Sequence, residues 1–421
     1  MNTQDKEILQ NWFLINRITT GTQKTYTRVL NLYSKAIGKT ITEIQEEAYT
    51  EEDNQVPRHR RKVRVYYPKF IKYLEDQNYT ENTKSSYVYI INSFYTYLDI
   101  NVPKMKTNYK NKPLPENVDK TLPKEIIRKM IQNANLRDKA ILSFMAHTGQ
   151  AQNEVKHLTI KQILDAINHE TNLYLTSTSE LYQHKQEALE PEAYKLNMFR
   201  QKTRHHYWTY MPRITMNYII DYLYERDHAK QEKQKTQGIN DYVFKTKYGQ
   251  PMKRDSVGKV CRTIGEKCGF ENPEELDNNL RKLLEHQPKR HRVWKSHNFR
   301  KYFLNTCRKY AGSREENMES FTGSELGDFW IGHEPSTSIT SYIQYNSEDD
   351  RIMKEHYLQV LPYLLVETKL QTIESENLKE FKKMKKNYNK LIEENKDIKK
   401  ELKIMKEFLG LKEIRQTWSE K

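Results

Sequence analysis

Residues 294–345 read WKSHNFRKYFLNTCRKYAGSREENMESFTGSELGDFWIGHEPSTSITSYIQY. His297 and Arg300 stand three positions apart, so a helix puts them on one face. Trp330-Ile-Gly-His333 follows, and Tyr342 comes nine positions after His333. A phenol is a weak nucleophile at neutral pH, because its pKa is near ~10. Attack on phosphorus needs a proton acceptor and cations around the phosphate oxygens. Two imidazoles, a forked guanidinium and a phenol supply that set, so Tyr342 is the candidate nucleophile and Tyr345 its nearest rival. With 29 tyrosines in the chain, a tyrosine alone means little, and its spacing to the other three residues carries the reading.

The bulk numbers point the same way. Lys and Arg number 71 against 56 acidic residues, a formal charge of +15, enough to track a polyanion such as duplex DNA. Cys261, Cys268 and Cys307 form no disulfide framework, and the Cys261–Cys268 spacing lacks a second pair, so a zinc site is rejected. No Gly-rich phosphate loop precedes a helix, and no acidic or histidine grouping demands a metal. Neither a cofactor nor a metal is expected. The N-terminus lacks a signal-peptide pattern and no apolar run reaches ~18 residues, so a cytoplasmic, DNA-associated protein with no membrane contact is expected.

Along the chain, residues 1–18 read as a polar arm or lead-in helix. Helical patterns follow at TQKTYTRVLNLYSKAIG, VRVYYPKFIKYLEDQ and TENTKSSYVYIINSFYTYLDI, the last with Asn82 or Thr83 as cap, giving a helical domain over 19–100. Residues 101–123, rich in Pro and Lys, read as a linker. Residues 124–365 form a second domain, mainly α, with helices at PKEIIRKMIQNA, LRDKAILSFMAHTG, Tyr218–Glu225, Val257–Lys267 and Trp294–Tyr310. A small sheet is expected from TNLYLTS and KTRHHYWTYMP. From 366 to 421 the apolar positions Phe381, Met384, Tyr388, Leu391, Ile398, Leu402, Met405 and Leu409, with Asn395 in register, step by threes and fours. They read as a self-associating coiled coil or as a single amphipathic helix packed on its own domain.

The His-x-x-Arg of His297 and Arg300, the Gly332-His333 pair and the delayed Tyr342 together resemble the tyrosine recombinase (phage integrase) superfamily. SHNFRKYFLNTC and YLQVLPYL look most like its archaeal and mobile-element integrases, and the resemblance spans residues 20–365. It implies a mainly α fold with a small β-sheet, in which residues 19–100 are the core-binding domain and 124–365 the catalytic domain. It further implies DNA cleavage and rejoining through a 3′-phosphotyrosine at Tyr342, by protomers that assemble as dimers to tetramers on double-stranded DNA. Lys202, in FRQKTRHHYWTYMP, matches a hairpin lysine that protonates the leaving 5′-oxygen; the bland alternative is an ordinary phosphate-contacting hairpin. Arg200, Arg204, Arg292, Lys295, Arg58, Arg60 and Arg61 are candidate DNA contacts. The cluster holding the last three reads equally as a solvated basic loop.

One part of the pattern is missing. The family carries its first catalytic arginine just after a helix-ending Thr-Gly and shortly before a Glu. In HTGQAQNEVKHLTI, Thr148, Gly149 and Glu154 fit, but the arginine position falls on Ala151 or Gln152, and neither supplies charge. An engineered substitution, a weakened or binding-only relative, and replacement by another basic residue such as Lys156 or Arg137 are the three explanations. A DNA-binding architectural protein without catalysis therefore stands beside the recombinase reading. A nicking-closing enzyme that needs no partner site stands as a third.

Overall fold

A computed structural model describes residues 2–102, 122–272, 274, 276, 278–284, 294–312, 322–333 and 347–366. Tyr342, Tyr345, Arg292, most of the expected linker and all but the first residue of the expected coiled coil lie outside these residues. The chain is mainly helical with one two-stranded antiparallel sheet. It divides into two compact units, Met1–Val118 and Asp119–Lys421. Among the described residues no helix is long and apolar enough to cross a membrane.

The first unit holds α1 (Thr3–Ile15), α2 (Thr20–Ile37), α3 (Ile41–Asp53), α4 (Val63–Asp76) and α5 (Glu81–Tyr97). The residues expected as an arm or lead-in helix form α1, started by a capping box between Asn2 and Asp5. Its Trp12 is fully buried, stacked on Tyr26 and edge-on to Phe94, so α1 is part of this core. The cap of α5 is Thr80, whose hydroxyl accepts from the Thr83 amide, in place of the expected Asn82 or Thr83.

The second unit begins with α6 (Lys124–Gln132), α7 (Leu136–Thr148), α8 (Gln152–His157), α9 (Ile160–Glu170), α10 (Thr178–Gln183) and α11 (Lys185–Ala188). The hairpin of β1 (Ala193–Arg200) and β2 (His205–Pro212) comes next. Then follow α12 (Arg213–Asp227), α13 (Arg254–Lys267), α14 (Asn278–Leu284), α15 (Ser296–Tyr310), α16 (Gly323–Trp330) and α17 (Ser347–Leu364). Helix α7 is buried continuously from Ala140 to Thr148, the signature of a central helix. It packs against α6, α12, α15, α17 and β2.

The expected partner strand TNLYLTS is corrected. β2 pairs instead with Ala193–Arg200, from Ala193 opposite Pro212 to Arg200 opposite His205. Tyr174 sits at φ +51°, a left-handed conformation that breaks a strand. The Asn168 side chain also takes both backbone groups of Leu175, at 2.7 and 2.8 Å, leaving no ladder bonds there.

His147, near the end of α7, is buried with Ser143 and Thr215; its Nδ1 lies 2.8 Å from the Thr215 hydroxyl. Burial pushes its pKa down to about 3. The unfolded chain therefore binds a proton between pH 6.5 and about 3 that the folded chain excludes, and stability falls as pH falls through that window. The slope from this residue is at most about 1.4 kcal/mol per pH unit. In urea denaturation at pH 7, 6 and 5, His147→Gln should lose about one proton's worth of this dependence. Parallel pH dependences for parent and variant would rule the assignment out.

Candidate functional site

Helix α15 buries Phe299, Arg300, Tyr302, Phe303, Thr306 and Cys307, so Arg300 points into the unit while His297, one turn earlier, is exposed. The Arg300 guanidinium finds backbone oxygens there. Its Nη2 donates to the carbonyl of Ile331 at 2.8 Å, and its Nη1 lies 3.5 Å from the carbonyl of Gly149. Both carbonyls stand at helix C-termini, where main-chain oxygens are otherwise unpaired and the helix dipole is negative.

Two glycines make those ends. Gly149 closes α7 at φ +66°, and a Cβ there would lie 2.5 Å from the Phe303 ring and 2.7 Å from Ile331. Beyond α16 the chain forms a Schellman turn: Gly332, at φ +68°, donates to Phe329 O, and the His333 amide donates to Asp328 O. This turn swings His333 back over α16, where its Nδ1 lies 2.8 Å from an Asp328 carboxylate oxygen. The carboxylate holds the proton on Nδ1, leaving Nε2 as the acceptor nitrogen of the neutral ring. Burial pushes the His333 pKa below the ordinary value. Asp328 opposes that shift, while the charges of Arg300 and Arg200 add to it.

Arg200, at the end of β1, reaches the same turn. Its Nη1 donates to Ile331 O at 3.0 Å and to Gly332 O at 2.5 Å, so two guanidiniums share the Ile331 carbonyl. Among the described residues no carboxylate forms an ion pair with either. Burial pushes the Arg300 pKa down and the Arg200 charge adds to this; Glu154, Tyr207 and Asp328 act in the opposite sense. Glu154 is buried, with one carboxylate oxygen lacking a hydrogen-bond partner among the described residues. Gln150 braces the floor, donating to Trp330 O at 2.9 Å and accepting from the Tyr207 hydroxyl at 2.5 Å.

The two positions open to the missing arginine now differ. The Gln152 amide donates to the Ser296 hydroxyl at the start of α15, in space that a Cβ on Gly258 would enter at 2.6 Å. Ala151 is the N-cap of α8 and offers no side-chain cap. Of the suggested substitutes, Arg137 is engaged with Asp138 and reaches the Lys245 carbonyl, while Lys156 is half-buried on α8.

The remaining candidates scatter. Lys202 is exposed in the turn of the β1–β2 hairpin, which closes through the Arg204 amide to Arg200 O at 2.7 Å, with Arg204 at φ +56°. Arg204 and Lys295 are exposed, as are Arg58 and Arg60 in the first unit. Arg61 is corrected as a DNA contact: its guanidinium is buried, paired with Glu52, and donates to Val56 O at 2.9 Å. His297 has its pKa lowered, first by desolvation and then by the charges of Lys301 and Arg300. Sequence reading missed Asp328 and the joint placement of Arg200 with Arg300. Asp328 was discernible, since a Gly-His pair closing a helix returns the histidine to the residue five positions earlier.

Gly332→Ala should cost about 2 kcal/mol or more, combining the left-handed backbone with a Cβ only 2.6 Å from the Tyr207 ring. A denaturation midpoint equal to the parent's would refute this account of the Gly-His pair.

No protein-family model and no curated protein sequence matches the chain. Among solved structures, XerA recombinase is 15% identical, with a TM-score of 0.32, covering 82% of this chain and 97% of that one. XerH site-specific recombinase bound to palindromic difH substrate in a post-cleavage complex is 14% identical, with a TM-score of 0.41 and coverage of 69% and 70%. The XerH pre-cleavage complex with difH substrate is 15% identical, with a TM-score of 0.39 and 68% coverage of each chain.

Proposed function

We propose that this chain is a site-specific DNA strand-exchange enzyme of the integrase type, acting on double-stranded DNA through a 3′-phosphotyrosine. The observation that carries the reading is the convergence of Arg300 and Arg200 on one carbonyl beside His333, with no carboxylate ion-paired to either guanidinium among the described residues. A cationic cluster of this kind suits an anion with several oxygens, and the +15 charge suits a polyanionic partner.

The chemistry follows from the residue types. The Tyr342 oxygen attacks phosphorus and the P–O5′ bond breaks. The phenolic proton goes to Nε2 of His333, and Lys202 supplies a proton to the leaving 5′-oxygen. Rejoining reverses each transfer, so no external energy source enters. Tyr342 is assigned from its spacing to His333. The segment that carries it is flanked by two fixed points: His333, held by Asp328, and Asp350 in α17, paired with Lys195 and accepting from the Tyr210 hydroxyl at its carbonyl.

The absence of arginine at 151 and 152 favours one other reading, an architectural DNA-binding protein that does no chemistry. Both readings can be tried on a nicked suicide duplex built on whatever sequence the full chain enriches from a randomised DNA library. The parent should form a covalent adduct on a denaturing gel, Tyr342→Phe should form none, and their affinities for the intact duplex should agree within about threefold. Gln152→Arg should not accelerate the adduct, because it removes the contact to Ser296. Tight binding with no adduct in any version would establish the architectural reading. An adduct that survives Tyr342→Phe would move the nucleophile elsewhere, Tyr345 first.

A further inference from the structure

The reacting phosphate of a strand-transfer site gains negative charge on its way to the transition state, and fixed cations stabilise that gain. Arg300 alone supplies one unit. His333 and His297 add little at neutral pH, since desolvation biases both rings toward the neutral form. Neither Ala151 nor Gln152 contributes charge. A phosphate held here with only Arg300 would lack half of its clamp.

We propose that Arg200 is the second guanidinium of this centre, filling from the end of β1 the role that positions 151 and 152 leave vacant. This inference rests on the strand-exchange reading for its reaction, though the anion site itself stands on geometry alone. The two guanidiniums each place a nitrogen within 3.0 Å of the Ile331 carbonyl oxygen. Arg200 spends only Nη1 on the turn, so Nε and Nη2 keep their N–H groups without a hydrogen bond among the described residues. Arg200 is also the leading charge that disfavours the cationic form of Arg300. Two like charges packed this closely repel, and a bound anion relieves the repulsion. The hairpin therefore delivers two groups: Arg200 to the phosphate oxygens and, two residues on, Lys202 at the turn.

A competing role is purely mechanical, with Arg200 clipping the end of α16. Arg200→Gln separates the two, because an amide still donates to a carbonyl but carries no charge. Arg213→Ala is the control, a guanidinium that also donates to carbonyls, those of Pro191 and Glu190, on the surface. Two measurements use the full chain: the rate of adduct formation on the suicide duplex, and affinity for inorganic phosphate, read as the rise in Tm at constant ionic strength. Arg200→Gln and Arg200→Ala should each slow adduct formation by about 10²–10³ and weaken phosphate binding about tenfold, matching Arg300→Ala. Arg200→Lys should recover part of both, and Arg213→Ala should resemble the parent.

The proposal is overturned if Arg200→Gln forms adduct within threefold of the parent rate, or if it binds phosphate as the parent does. A parent that binds no phosphate overturns it as well. A parent that forms no adduct but loses phosphate binding on Arg200→Gln would remove the strand-exchange reading and leave the two-arginine anion site standing.

Discussion

The second unit is organised around a guanidinium held by main-chain oxygens. Arg300 is buried, and burying a charge costs several kcal/mol unless its hydrogen-bonding groups are satisfied. A carboxylate partner would have satisfied them and cancelled the charge. Carbonyls at the ends of α7 and α16 take up two of its N–H groups while leaving the charge unneutralised. Much of the surrounding structure serves this arrangement. Both helices end in left-handed glycines whose missing Cβ atoms admit Phe303, Ile331 and Tyr207, and Gln150 ties the Trp330 carbonyl to the Tyr207 hydroxyl.

The same turn sets the histidine. A Schellman closure bonds the amide two residues past the cap to the carbonyl of the helix's last turn, so the residue after Gly332 is returned to Asp328. The carboxylate then decides which ring nitrogen carries the proton, while burial, opposed by Asp328 and aided by the nearby guanidiniums, makes the other less ready to accept one. Asp328, local in sequence, thus orients His333 and raises its basicity, while burial and the two guanidiniums, brought in by the fold, lower it.

What the sequence revealed followed the range of each interaction. His297 with Arg300 and Gly332 with His333 are short-range patterns: turn geometry returns His333 to Asp328, while on α15 Arg300 is buried and His297 is exposed. Helices α2, α4 and α5 were readable from the period of their apolar residues, whereas α7, buried on every side, has no such period and shows only its closing Gly149. The partner strand of β2 was not readable either. TNLYLTS is as β-prone as AYKLNMFR, and one side-chain amide, Asn168, removes it from competition by occupying Leu175. Arg61 shows the opposite failure: a basic run suggests solvent-facing charge, yet Glu52 and the Val56 carbonyl, five and more residues away, draw this one inside.

Arg200 is the instructive residue, because its sequence neighbourhood assigns it to the wrong class. Among Lys202, Arg204 and two histidines it reads as one more cation on a basic hairpin. Strand alternation and pairing separate it from them: Arg200 is the last residue of β1, opposite His205, while Lys202 and Arg204 lie in the exposed turn. A guanidinium is long enough to cross from the strand end to the end of α16, where the dipole and the free carbonyls favour it. A charge absent from positions 151 and 152 can therefore be supplied about fifty residues later in the chain. What an anion meets in such a cluster is the set of N–H groups directed at it, whichever element carries them. Loss of an arginine from one loop thus need not empty the place where its charge was used.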